Sequence, residues 1–90
     1  MHNENDNHRI LLVEDDADLA SMVSDFLTLY GFEVAVEGRG DDAVARIRDE
    51  SPDAVILDIN LPGLDGLSVC RSVRPDYHGA ILILTARGGE

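Results

Sequence analysis

Four residues of this 90-residue chain stand where phosphate chemistry can be carried out: Glu14, Asp15, Asp58 and Thr85. Glu14 and Asp15 follow the aliphatic run Ile10-Leu11-Leu12-Val13, Asp58 follows Ala54-Val55-Ile56-Leu57, and Thr85 follows Ile81-Leu82-Ile83-Leu84. Three carboxylates brought together repel one another. Two remedies exist: protonation of one acid through a raised pKa, or a hard divalent cation that takes oxygen ligands. At neutral pH and cellular Mg²⁺ the cation is favoured. Mg²⁺ takes one or two carboxylates, keeps waters and accepts phosphate oxygens, so the cluster suits a partly hydrated Mg²⁺ beside a phosphoryl group. A carboxylate at such a metal can attack phosphorus to give an aspartyl phosphate. Asp58 is then the nucleophile, Glu14 and Asp15 hold the metal, and the Thr85 hydroxyl donates to a phosphoryl oxygen.

These residues serve that chemistry only if the chain gathers them. Four aliphatic residues in a row, without alternation, read as parallel strands covered on both faces. In an open parallel sheet the C-terminal strand ends, near the point where strand order reverses, are where ligands bind. Between the strands, Leu19, Met22, Val23, Phe26, Leu27 and Tyr30 recur at helical spacing and predict one apolar stripe, with Gly31 as the stop. Phe32, Val34 and Val36 alternate with Glu33, Ala35 and Glu37, as expected of an edge strand with one less-buried side. Gly38-Arg39-Gly40 turns the chain into a short polar helix carrying Ala43, Val44 and Ile47, stopped by Ser51-Pro52. After Asp58, the loop Leu61-Pro62-Gly63-Leu64-Asp65-Gly66 leads into a third helix marked by Leu67, Cys70 and Val73 and ended by Pro75 and Gly79. The order β-α-β-α-β-α-β predicts an α/β sheet with right-handed crossovers and helices on both faces.

Composition bounds the rest. A chain of this length makes one small domain, and with two Tyr, two Phe and no Trp its core is aliphatic. A formal charge of -11 repels nucleic acid and anionic lipid and attracts basic partners or divalent cations. No nucleic-acid binding by this segment and no membrane association are therefore expected. A single cysteine, Cys70, excludes an internal disulfide, and with no membrane-length apolar run a cytoplasmic protein is expected. Met1 to His8 is polar and reads as a mobile leader, in which His2 and His8 are solvated rather than metal ligands.

Taken together, Ile10-Leu-Leu-Val-Glu-Asp-Asp16, Val55-Ile-Leu-Asp-Ile-Asn-Leu-Pro-Gly-Leu-Asp-Gly66 and Ile81-Leu-Ile-Leu-Thr-Ala86 resemble the receiver domain of two-component response regulators, with its CheY-like fold. Glu37 to Asp42 and Leu57 to Val73 look most like receivers of the OmpR/PhoB type, which in that family precede a winged-helix DNA-binding domain. The resemblance implies that Asp58 is the phospho-acceptor, that Glu14 and Asp15 are the acidic pair, and that the main-chain carbonyl of Asn60 is a further metal ligand. It also implies Thr85 as the switch hydroxyl, with Ala86 the small residue behind it, Mg²⁺ as cofactor and a sensor histidine kinase as partner. The domain would modify itself rather than turn over a substrate. Residues 9–90 would form the N-terminal part of such a domain.

The chain departs from the family in one respect. Family members continue through another helix, a fifth strand ending in a lysine, and a last helix; here the seven Lys and Arg positions are all arginines and the sequence runs to Glu90. The resemblance therefore implies an incomplete doubly wound parallel sheet of order 2-1-3-4, lacking the fifth strand and last two helices. An aliphatic fourth strand left at the edge favours self-association through that strand and the uncovered sheet face. Plainer readings stand beside these. Glu14-Asp15-Asp16 suits a helix N-terminus, Thr85 can simply end a strand, and Cys70 suits packing. A calcium-loop reading of Asp58 to Gly66 fails, because Pro62 occupies a ligand position and Val69 stands where a bidentate Glu is needed. A haloacid-dehalogenase phosphatase needs a second Asp where Asn60 stands. The alternative function is a signalling-incompetent fragment that serves only as a folded interaction module.

Overall fold

The structure is a computed structural model that describes residues 8–84. Its elements alternate: β1 (Arg9–Val13), α1 (Ala17–Leu29), β2 (Glu33–Glu37), α2 (Gly40–Glu50), β3 (Ala54–Asp58), α3 (Gly66–Val73) and β4 (Ala80–Leu84). The four strands form one sheet in the order β2-β1-β3-β4, and every neighbouring pair is parallel. The parallel α/β sheet of order 2-1-3-4 read from the sequence is the sheet found among the described residues, for the reason anticipated: the uninterrupted aliphatic runs supply both faces of the inner strands.

Leu11, Val13, Val55 and Leu57 point to one face, where they meet Ala43 and Ile47 of α2, Val69 and Val73 of α3, and Tyr77. All of these are buried, and the largest wholly enclosed side chains are aliphatic. Ile10 and Leu12, which alternate with them along β1, are buried too, and α1 packs over β1 and β2. At the lower edge of the core the Tyr77 hydroxyl donates a 2.6 Å hydrogen bond to the Pro52 carbonyl, closing the α3–β4 connection onto the α2–β3 one.

Two details differ from the sequence pattern. Of the stripe predicted on α1, Leu19, Val23 and Leu27 are partly covered, whereas Met22, Phe26 and Tyr30 are exposed. The inward face is rotated toward Ala20, whose small side chain is buried, and Phe26 and Tyr30 pack on each other with ring centroids 5.0 Å apart. On the edge strand β2, Ala35 rather than Val36 lies against the main core, so the residue read as outward is covered and Val36 is exposed. Gly31 follows the end of α1 with φ +93°, the left-handed conformation that glycine adopts without strain. Ser51 closes α2 with φ 44°, its N–H donating to the Ile47 carbonyl. Of the residues assigned to a leader, 1–7 lie outside the described residues; the His8 carbonyl accepts a 2.9 Å hydrogen bond from Glu33 N–H.

Candidate functional site

β1 and β3 are paired so that Val13 lies opposite Leu57. In a parallel pair the next residues along both strands leave the sheet on the same edge, which brings Glu14 beside Asp58. Asp15 follows in the turn to α1. Carboxylate oxygens of Glu14, Asp15 and Asp58 all lie within 4.8 Å of one another, with Asp58 buried, Glu14 partly covered and Asp15 open to solvent. The sequence places these three together, and so does the fold.

Each acid is held by its local structure. Glu14 N–H donates to the Glu37 carbonyl at 2.9 Å, tying the departing end of β1 to the end of β2. The Glu14 carboxylate accepts a 3.0 Å bond from Asp16 N–H, which folds the β1–α1 turn around it. Asp16 itself caps α1, accepting from Asp18 N–H and Leu19 N–H at 3.0 and 3.1 Å. The plain capping role therefore belongs to Asp16, leaving Glu14 and Asp15 directed at Asp58.

The electrostatics follow from burial and charge. Burial raises the Glu14 carboxyl above the usual range; the hydrogen bond from Asp16 opposes this, and the charges of Asp58, Asp15 and Asp16 push it further up. No arginine or histidine forms an ion pair with Glu14, Asp15 or Asp58 among the described residues. Three acids with an all-oxygen donor set and no cationic partner match the preference of Mg²⁺, and they lack the nitrogen and sulfur ligands that favour zinc.

The loop after Asp58 is tightly folded. Gly66 N–H donates to the Ile59 carbonyl at 2.8 Å, and a Cβ at Gly66 would collide with the Asp58 carbonyl and lie 2.9 Å from Ile59 Cα. Only glycine allows α3 to begin this close to the acceptor strand. Asp65 caps α3 by accepting from Ser68 N–H and Ser68 Oγ at 2.9 and 3.0 Å, bonds that hold its carboxyl below the usual range. Asn60 is exposed in the turn after Asp58, and its carbonyl accepts no backbone hydrogen bond among the described residues. β4 reaches Leu84, the partner of Asp58; Thr85 and Ala86 lie outside the described residues.

Two residues assigned no part in the site by the sequence pattern also bear on it. Glu37 supplies the carbonyl that holds Glu14, and the Gly40 N–H donates to the Pro62 carbonyl at 2.9 Å. Sequence marks Gly40 only as a turn glycine, because its partner loop is distant along the chain.

Comparison with known proteins agrees with this architecture. The family model described as the response regulator receiver domain matches residues 10–90. The chain is 46% identical over 77 residues to the transcriptional regulatory protein RstA of Escherichia coli K12, covering 86% of this chain and 32% of that protein. To the DNA-binding response regulator MtrA of Mycobacterium tuberculosis H37Rv it is 47% identical over 79 residues, covering 88% of this chain and 35% of that protein. The chain thus spans about a third of the length of these curated relatives. The crystal structure of the BeF3-activated N-terminal receiver domain of Klebsiella pneumoniae RstA superposes with a TM-score of 0.82 at 43% identity, covering 86% of this chain and 66% of that one. With its parallel β2-β1-β3-β4 sheet and the acids gathered at one edge, the chain belongs to the receiver domains of two-component response regulators, of the OmpR/PhoB type.

Proposed function

We propose that this domain accepts a phosphoryl group on Asp58 from the phosphohistidine of a sensor histidine kinase, with Mg²⁺ held by Glu14, Asp15, Asp58 and the Asn60 carbonyl. The observation that carries the reading is the approach of three carboxylates to within 4.8 Å of one another, without a cationic side chain beside them among the described residues. In the transfer, an Asp58 carboxylate oxygen forms the new O–P bond as the N–P bond of phosphohistidine breaks. The N–P electron pair stays with the imidazole nitrogen, and because the other ring nitrogen of the phosphohistidine carries a proton, the leaving group is neutral imidazole. When bound, Mg²⁺ neutralises charge on the transferring oxygens. Glu14 and Asp15 hold that ion, and the Asp58 strand end, fixed between β1 and β4, presents the acceptor oxygen. Thr85 is the hydroxyl that reads out the phosphoryl group.

On this reading the domain is a signalling acceptor that carries out a single transfer onto itself rather than an enzyme with turnover. The relatives are described as a transcriptional regulatory protein and a DNA-binding response regulator, which supports control of transcription by the whole protein. No helix among the described residues is long and apolar enough to cross a membrane, which accords with a cytoplasmic module. Incubation with acetyl phosphate and Mg²⁺, followed by intact mass, tests the reading. A one-phosphoryl gain that disappears in Asp58→Asn supports it, and no Asp58-dependent adduct counts against it.

The outer strand favours a second reading, self-association as an interaction module. Among the described residues β4 is an edge strand, and Leu82 and Leu84 are 55% and 45% exposed on one of its faces. Sedimentation over a wide concentration range decides it: a constant monomer mass rules this reading out.

A further inference from the structure

We infer that the turn from β2 into α2 fixes the position of the loop that follows Asp58, with Gly40 as its positioning residue; the consequence for transfer rests on Asp58 being the acceptor. The turn touches both halves of the site. At one end the Glu37 carbonyl accepts from Glu14 N–H at 2.9 Å. At the other, Gly40 N–H donates to the Pro62 carbonyl, also at 2.9 Å.

The turn is itself braced. The Glu37 carboxylate accepts from Gly38 N–H and Arg39 N–H at 3.1 and 3.2 Å, so the chain folds back on the side chain that opens it. Arg46 reaches from α2 to lie 3.5 Å from the same carboxylate and donates to the Val36 carbonyl at 3.0 Å.

Against this brace the Asp58 loop is held at Pro62 and Leu64. Pro62 is held by the Gly40 hydrogen bond. Gly63 adopts φ +84°, the left-handed conformation that favours glycine; a Cβ there would fall 2.7 Å from Asp41 Cγ and 2.8 Å from Arg39 Nη2, the ends of two exposed side chains that can move aside. Leu64 sits directly on Gly40: a Cβ there would overlap the Leu64 carbonyl oxygen and lie 2.7 Å from its carbon and 3.1 Å from Val69 Cγ2. At the far end of the loop, Gly66 rests on the Asp58 carbonyl in the same manner. A loop clamped between two glycine contacts has no slack. Pushing Leu64 away from Gly40 therefore shifts the segment that ends on the Asp58 backbone, although Gly40 touches no reacting atom.

The experiment compares Gly40→Ala with Gly79→Ala. The second variant crowds Tyr77 and the Asp53 carbonyl, near the starts of β3 and β4 and away from the acids. Gly40→Ala is expected to slow phosphorylation by phosphoramidate at saturating Mg²⁺ about tenfold or more, since small misplacements of a reacting group are costly in rate. Mg²⁺ affinity should fall less than the rate, because the carboxylates of Glu14, Asp15 and Asp58 follow the strand ends and only the Asn60 carbonyl lies in the clamped loop. Exchange of the Gly66 amide should quicken in Gly40→Ala and be unchanged in Gly79→Ala. Rates and exchange equal to the unmodified chain overturn the inference, as do equal losses in both variants. Should Gly40→Ala not fold, exchange in the unmodified chain decides: Gly40 and Gly66 amides that open together support the clamp, and a freely exchanging Gly40 beside a protected Gly66 overturns it. Absence of any adduct on the unmodified chain counts against the acceptor role of Asp58 alone, and amide exchange still settles the role of the turn.

Discussion

Leu57 of β3 lies directly across from Val13 of β1, and that single register sets Asp58 beside Glu14 as both strands leave the sheet. A slip of one residue would turn one of the two acids to the opposite face. The aliphatic runs before them are what prevent it, since Val13 and Leu57 are both completely buried in the same core.

Replacing Glu14 by Gln should stabilise the metal-free domain at neutral pH while weakening Mg²⁺ binding. Burial raises the Glu14 pKa in the folded chain, so the folded state holds this proton more tightly than the unfolded one. Its contribution to stability is therefore most favourable below the ordinary carboxylate range and is lost as pH rises through the folded value. At neutral pH the ionised group opposes folding. Two unit charges about 4 Å apart repel by about 1 kcal/mol even in water. Relief on that scale raises the melting temperature of a small domain by roughly 4–8 °C. Thermal melts in a chelator at pH 7, with Mg²⁺ titrations alongside, check both halves.

Mg²⁺ should stabilise the unmodified chain. At a concentration a hundredfold above its dissociation constant, a ligand that binds only the folded state adds about 2.7 kcal/mol. Denaturant unfolding with and without Mg²⁺ should show this shift, and Asp15→Asn should remove most of it.

Asp16→Ala separates capping from metal binding. The variant removes the acceptor for the Asp18 and Leu19 N–H groups and should cost about 1 kcal/mol of stability. It retains the backbone N–H that Asp16 donates to Glu14, so Mg²⁺ affinity should be unchanged. A large loss of affinity in this variant would make Asp16 part of the metal site.

Tyr77→Phe should destabilise the domain by about 1–3 kcal/mol, because it leaves the buried Pro52 carbonyl without its donor. Phosphoryl acceptance by the folded protein should not change, since Pro52 lies before the start of β3 and Asp58 at its end. Denaturant unfolding combined with the acetyl phosphate assay reads the two effects separately.

The strands and the acid cluster are legible in the sequence because both depend on short, local patterns: an uninterrupted aliphatic run implies a strand covered on both sides, and the polar residue after it falls at the edge. Periodicity is less informative for α1. It groups Met22, Phe26 and Tyr30 with Leu19, Val23 and Leu27, but not which part of that stripe meets the sheet. The helix sets Ala20 inward and leaves Met22, Phe26 and Tyr30 outside, an orientation that the spacing alone does not specify. The Gly40–Leu64 contact and the Tyr77–Pro52 hydrogen bond are invisible for a different reason: each joins residues more than twenty positions apart, with no composition signal at either end.

Crystals of the domain grown with Mn²⁺ in place of Mg²⁺ offer the most direct test of the acid pocket, because anomalous scattering locates the ion without any assumption about activity. The expected result is one strong peak bounded by the carboxylates of Glu14, Asp15 and Asp58 and absent in Asp15→Asn. No peak there, or a peak that persists unchanged in that variant, would contradict the account.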